Sequence, residues 1–87
     1  MLNFSKVNTG RQQEVFDYGE YQLSVISTGY GSEDGLYEIG VFKNGAMTEL
    51  PGITWPGDQV KGSLTAAEVD AIMLKMYSIT QKEPELV

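Results

Sequence analysis

No cysteine and no histidine occur anywhere in the 87 residues, and this pair of absences constrains the fold more than any motif does. Without cysteine there is no disulfide framework, and the usual ligands of a structural zinc are missing. A chain this short is expected to form one domain, residues 1–87, near the lower size limit for an unaided core. Its stability has to come from burying the 41 % of residues that are apolar. The same absences bear on chemistry. The usual general base, the thiol nucleophile and the best transition-metal ligands are removed together. Carboxylates, hydroxyls and a few lysines remain, which points to binding and away from catalysis, with no cofactor and no metal expected.

Hydrophobic patterning divides the chain into a strand-rich part, about 2–62, and a helical end. Leu2–Val7 alternates loosely, with Leu2 and Phe4 on one side, and Asn8-Thr9-Gly10 breaks it as a turn. Glu14–Tyr18 and Tyr21–Thr28 are rich in aromatic and β-branched residues, and Gly19-Glu20 is a plausible tight hairpin between them. Tyr21, Leu23 and Val25 share one face by the period of two. Gly35–Lys43 carries apolar residues on both faces, which predicts a central strand, and Asn44-Gly45 follows it as the strongest short-range hairpin signal. Ala46–Leu50 would return. Pro51–Gly57 cannot be a regular strand, because two prolines and two glycines interrupt it. A short last strand is expected around Val60.

The helical end is signalled by Thr65-Ala66-Ala67-Glu68, a capping box, with Leu64 and Val69 in the flanking staple positions. Val69, Ile72, Met73, Met76 and Ile79 or Thr80 then recur at helical spacing. The spacing predicts a helix over about 66–81, stopped before Pro84, with 82–87 as a frayed tail. The fold class is therefore α+β: an antiparallel β-meander of about five or six strands with one C-terminal amphipathic helix packed on one face.

Twelve acidic side chains oppose six basic ones, a net charge of −6. That disfavours direct contact with nucleic acid, whose phosphates need lysine and arginine. It either serves solubility alone or selects a partner protein with a basic surface. The charge is spread evenly along the chain, −4 over residues 1–62 (four basic, eight acidic) and −2 over 63–87 (two basic, four acidic).

Gly29-Tyr30-Gly31-Ser32-Glu33-Asp34-Gly35 resembles a phosphate loop only superficially. No lysine follows, the next element reads as a strand, and two acids would repel a phosphate. It reads as a flexible hairpin loop, or as a partner-contacting tip in which Tyr30 is the anchor beside Glu33 and Asp34. Trp55, in the proline-bounded stretch 51–58, is expected to fold back with Ile53 as a core plug. Its competing role is an exposed anchor, since a large rigid ring is a common hot spot. Glu14, Asp17, Glu20, Glu33, Asp34 and Glu38 make the first hairpins acidic. Glu14 and Asp17, three residues apart, fall on opposite faces of a strand, so they do not form a catalytic pair. The acids are a solvated face or an electrostatic contact surface. Five tyrosines suit both sheet faces and interfaces, and Leu74 and Tyr77 lie off the helical stripe, where a homodimer patch could form.

In size, acidity, lack of histidine and cysteine, and a sheet ending in the Thr65–Lys82 helix, the chain resembles the small accessory proteins of bacteriophages and prophages, anti-CRISPR and other anti-defence inhibitors among them. The resemblance covers the whole chain but carries no diagnostic motif and implies no residue roles. It implies a cytoplasmic, non-enzymatic inhibitor that blocks a nucleic-acid-handling protein. The alternative is a structural or assembly subunit, virion-associated or homo-oligomeric. No apolar run is long enough to span a bilayer, no N-terminal stretch reads as a signal peptide, and no membrane association is expected.

Overall fold

The computed structural model describes residues 2–87. A short helix, α1 (Phe4–Val7), precedes strands β1 (Gln13–Asp17), β2 (Tyr21–Ile26), β3 (Tyr37–Lys43), β4 (Ala46–Met47) and β5 (Val60–Leu64), then helix α2 (Ala66–Thr80) and strand β6 (Glu85–Leu86). All strand pairs are antiparallel. The sheet runs β4-β3-β2-β1-β6, and β5 pairs the other half of the β3 edge that β4 occupies. The small α+β architecture, with Tyr37–Lys43 inside the sheet and a C-terminal helix, is thus the one expected.

Both tight turns follow from their residues. At Gly19-Glu20 the glycine takes φ +93° at the first central position, as a type II′ turn requires, and the Tyr18 N–H donates to the Tyr21 carbonyl at 2.8 Å. At Asn44-Gly45 both residues have positive φ, 50° and 86°, the type I′ signature. Helix α2 starts as expected: the Thr65 hydroxyl accepts from the Glu68 N–H at 3.1 Å, and the Glu68 carboxylate accepts from the Thr65 N–H at 2.9 Å. A cap of this kind contributes about 1 kcal/mol.

Strand register shows which face is the core. Phe16 stands opposite Leu23, Leu23 opposite Val41, and Val25 opposite Ile39. These residues, with Tyr18 and Leu64, form one buried cluster with Val69, Ile72, Met73 and Met76 of α2, with Phe4 and with Ile53. Every sheet residue of the cluster lies on the same face, so α2 covers that face and no other. No helix among the described residues is long and apolar enough to cross a membrane.

Three expectations need correction. Leu2–Val7 is not a strand. The Asn3 side chain accepts from the Lys6 N–H at 2.9 Å and caps a helical turn. Phe4 is buried edge-on against Tyr37 with ring centroids 4.7 Å apart, and the Ser5 N–H and hydroxyl both donate to the Asp70 carboxylate of α2. The returning strand 46–50 is cut to Ala46–Met47, because β5 takes the rest of the β3 edge.

The tail is not frayed. Gln81 turns the chain with φ +57°, its N–H donating to the Tyr77 carbonyl at 2.7 Å. Pro84 is buried, and β6 pairs Leu86 with Phe16 and Glu85 with Asp17. The Val87 N–H donates to the Val15 carbonyl at 2.9 Å. The tail orders because the outer edge of β1 would otherwise leave backbone groups unpaired. One strand is lost at the start and one gained at the end.

Candidate functional site

The loop after β2 and the loop after β4 are brought together. The Tyr30 and Trp55 rings lie 5.9 Å apart, tilted by 55°, within the range of favourable aromatic pairs. Tyr30 is 64 % exposed and Trp55 half-buried. The expected plug is therefore divided: Ile53 enters the core, at 1 % exposure, while Trp55 stays at the surface against Tyr30.

Both loops are tied to the outer edge of β5. The Ser63 N–H donates to the Tyr30 carbonyl at 2.8 Å, and the Trp55 N–H to the Val60 carbonyl at 2.9 Å. Gly62 is glycine for a steric reason, since a Cβ there would run into the Tyr30 Cβ. Beyond Tyr30 the chain makes a 3₁₀ turn, Ser32–Asp34, flanked by Gly31 and Gly35 with φ of +94° and +73°. Its two acids, Glu33 and Asp34, are exposed beside the aromatic pair. In the second loop the Thr54 hydroxyl accepts from the Leu50 N–H at 3.0 Å, which closes a compact turn beneath Trp55.

This aromatic pair stands at the margin of the sheet face that α2 leaves uncovered. Val15, Ile26, Phe42 and Val60 are half-buried on it, and Met47 is 41 % exposed. Gly40 lies at its centre, where a Cβ would meet Met47 Cε at 3.3 Å and Val60 Cγ1 at 3.7 Å. Ser24 is opposite Gly40 and accepts from the Gln13 side chain at 2.8 Å. No helix of the described residues packs over these side chains. The missed members, Phe42, Met47 and Val60, left only one trace in the sequence: Phe42 on the second face of a strand that reads as apolar on both sides.

Of the seven acidic and aromatic candidates, Tyr30, Trp55, Glu33 and Asp34 gather at one end of the sheet. Asp17 and Glu20 lie at the other, separated by the six residues of β2, roughly 20 Å at 3.3 Å per residue. Asp17 accepts from the Gly19 N–H at 2.9 Å and so supports the turn. A cavity of about 260 Å³ opens beside Glu20, lined also by Tyr18, Tyr21, Ile79, Thr80 and Lys82. It is smaller than the roughly 300–1,000 Å³ of ordinary ligand pockets.

Glu14 is turned inward, only 2 % exposed, opposite Val25 on the core face. Arg11 donates to both its oxygens, at 3.3 and 2.7 Å, and the Thr9 hydroxyl to one, at 3.2 Å. Glu14 is therefore not available to a partner. The hydrogen bond from Arg11 holds its carboxyl below the ordinary value of 4.5, against burial, which pushes it up. A depressed folded pKa means that Glu14 contributes its stability above about 4.5 and loses it as pH falls through the lower folded value. In urea unfolding between pH 6 and 3, Glu14→Gln should flatten part of the acid-side loss of stability. An unchanged pH profile would show that this carboxylate is not held as the geometry implies.

No family model, no curated protein and no solved structure matches this chain.

Proposed function

We propose that this protein is a non-enzymatic protein-binding module, an inhibitor of the phage anti-defence type that acts in the host cytoplasm. It blocks a nucleic-acid-handling protein by seating Tyr30 and Trp55 against it. The observation that carries this reading is the surface pair of an exposed Tyr30 and a half-buried Trp55, on loops anchored by backbone hydrogen bonds to β5. Large rings held in place lose little conformational freedom on binding, and such residues dominate interface energies. Glu33 and Asp34, next to the pair, add attraction for a basic surface that salt would screen.

The test is capture of bacterial proteins on the tagged chain, washed at low and then high salt, with Tyr30→Ala/Trp55→Ala alongside. A single nucleic-acid-handling partner is expected. The double variant should weaken its binding by at least about 30-fold, the equivalent of a 2 kcal/mol hot spot. Equal recovery on both chains would remove the aromatic pair from the mechanism.

A structural or assembly subunit is the second reading, favoured by Leu74, which is 58 % exposed on α2. Recovery of the protein alone as a defined oligomer, disrupted by Leu74→Glu in light scattering, would establish it.

A further inference from the structure

The charge that is even along the chain is uneven across the sheet. None of the six lysines and arginines stands on the face that α2 leaves open. Lys43 is opposite Tyr21, on the helix side, with its ammonium 5.4 Å from the Tyr21 ring centroid. Lys61 is opposite Ile39, a core residue. Arg11 is engaged by Glu14, also on the helix side. Lys6 is on α1, which packs on α2. Lys75 is on α2 and donates to the Gly52 carbonyl at 3.3 Å. Lys82 follows α2 and packs against Gly19 in the cleft with Tyr18 and Tyr21.

The open face, by the same register, carries Asp17, Glu38 and Glu85. Glu38 is 9 % exposed, its carboxylate packed against Gly29 beneath the Tyr30 loop. The apolar side chains of the open face thus have carboxylates beside them and no lysine or arginine to neutralise them.

We infer that the open sheet face, with the Tyr30–Trp55 pair at its margin, is the docking surface, and that its occupant is a cationic amphipathic segment of a partner protein. Leucine-like side chains of that segment would cover Val15, Ile26, Phe42, Met47 and Val60, and its lysines or arginines would meet Asp17, Glu33, Asp34 and Glu85. This deepens the binding-module reading and rests on it. Charge complementarity selects the occupant. A nucleic acid would meet an acidic face, and a second copy of this face would oppose carboxylates to carboxylates, so like charges disfavour both. Helix α2 then faces away from the partner.

The test uses the full chain, ¹⁵N-labelled, titrated with a soluble ten-residue peptide of alternating leucine and lysine and with its leucine–glutamate counterpart. The lysine peptide is expected to shift the amides of Val15, Ile26, Gly40, Phe42 and Val60. It should bind at least tenfold more tightly than the glutamate peptide. Met47→Lys should weaken it severalfold, whereas Ala71→Lys, an identical charge change on the exposed side of α2, should leave it unchanged. Shifts centred on α2, equal affinity for the two peptides, or equal effects of the two lysine variants would overturn the inference. Any of those results leaves the Tyr30/Trp55 capture test standing, and failure of that test leaves the peptide map readable, so the two failures are distinguishable.

Discussion

Phe16→Ala will lower the unfolding free energy by about 3–5 kcal/mol, the usual loss for a phenylalanine removed from a closed core. Phe16 is fully buried, opposite Leu23 on one side and Leu86 on the other. Truncation there empties the centre of the only layer between sheet and α2. A chain of 87 residues has a total stability of roughly 4–13 kcal/mol at 0.05–0.15 kcal/mol per residue. The variant is therefore expected to be partly unfolded or to melt far below the parent. Val15→Ala, one residue away but half-buried on the open face, should cost under about 1 kcal/mol, near the small end for such a truncation. Urea midpoints for the two variants measure the contrast. Equal losses would contradict a core confined to one face of the sheet.

The second large effect is expected at Gly31→Ala. Gly31 has φ +94°, and a Cβ built there would lie 2.7 Å from the Ser63 Cα. The backbone conformation alone is costly for alanine, and the collision is with main chain that cannot swing aside. A loss of about 1–3 kcal/mol is expected, together with displacement of the Tyr30 loop from β5. Trp55 is the only tryptophan, so its fluorescence reports directly on the Tyr30–Trp55 contact and should shift toward that of a solvated indole. Gly35→Ala is the control. Its φ is +73° with nothing within 4 Å of the added carbon, so it incurs the conformational cost without the collision and should leave the fluorescence unchanged. Identical behaviour of the two variants would mean that the close approach of Gly31 to Ser63 does not hold the loop.

Much of the architecture was legible where neighbouring residues decide the backbone. Asn44-Gly45 and Gly19-Glu20 each make a turn whose φ signs their own residues prefer, and Thr65 with Glu68 satisfies the first amides of α2 within four residues of chain. The stripe Val69, Ile72, Met73 and Met76 is buried as its spacing requires. Ile79, at the end of the stripe, is 45 % exposed, because the core ends before the last turn. Of the candidate site, Tyr30 and Trp55 were legible as anchors by residue type and loop context. Their meeting was not, since it depends on residues 25 apart in sequence, on two different loops, both bonding to β5.

By itself, then, the sequence determined the fold class, the interior place of the 37–43 strand, the two tight turns and the extent of α2. Each rests on short-range preference or on a periodic pattern long enough to outweigh noise. Tertiary structure decided the rest. Phe4–Val7 coils into α1 because Asp70 and Tyr37 wait for Ser5 and Phe4, and residues 85–87 order because β1 has an outer edge to pair. The turning of Glu14 inward and the segregation of all six lysines and arginines from the open face are decisions of the same kind. A residue's number along a strand gives only its parity. Which parity faces the helix is settled when the sheet and α2 close on one another, and that choice sorts the charges of this protein into two unlike faces.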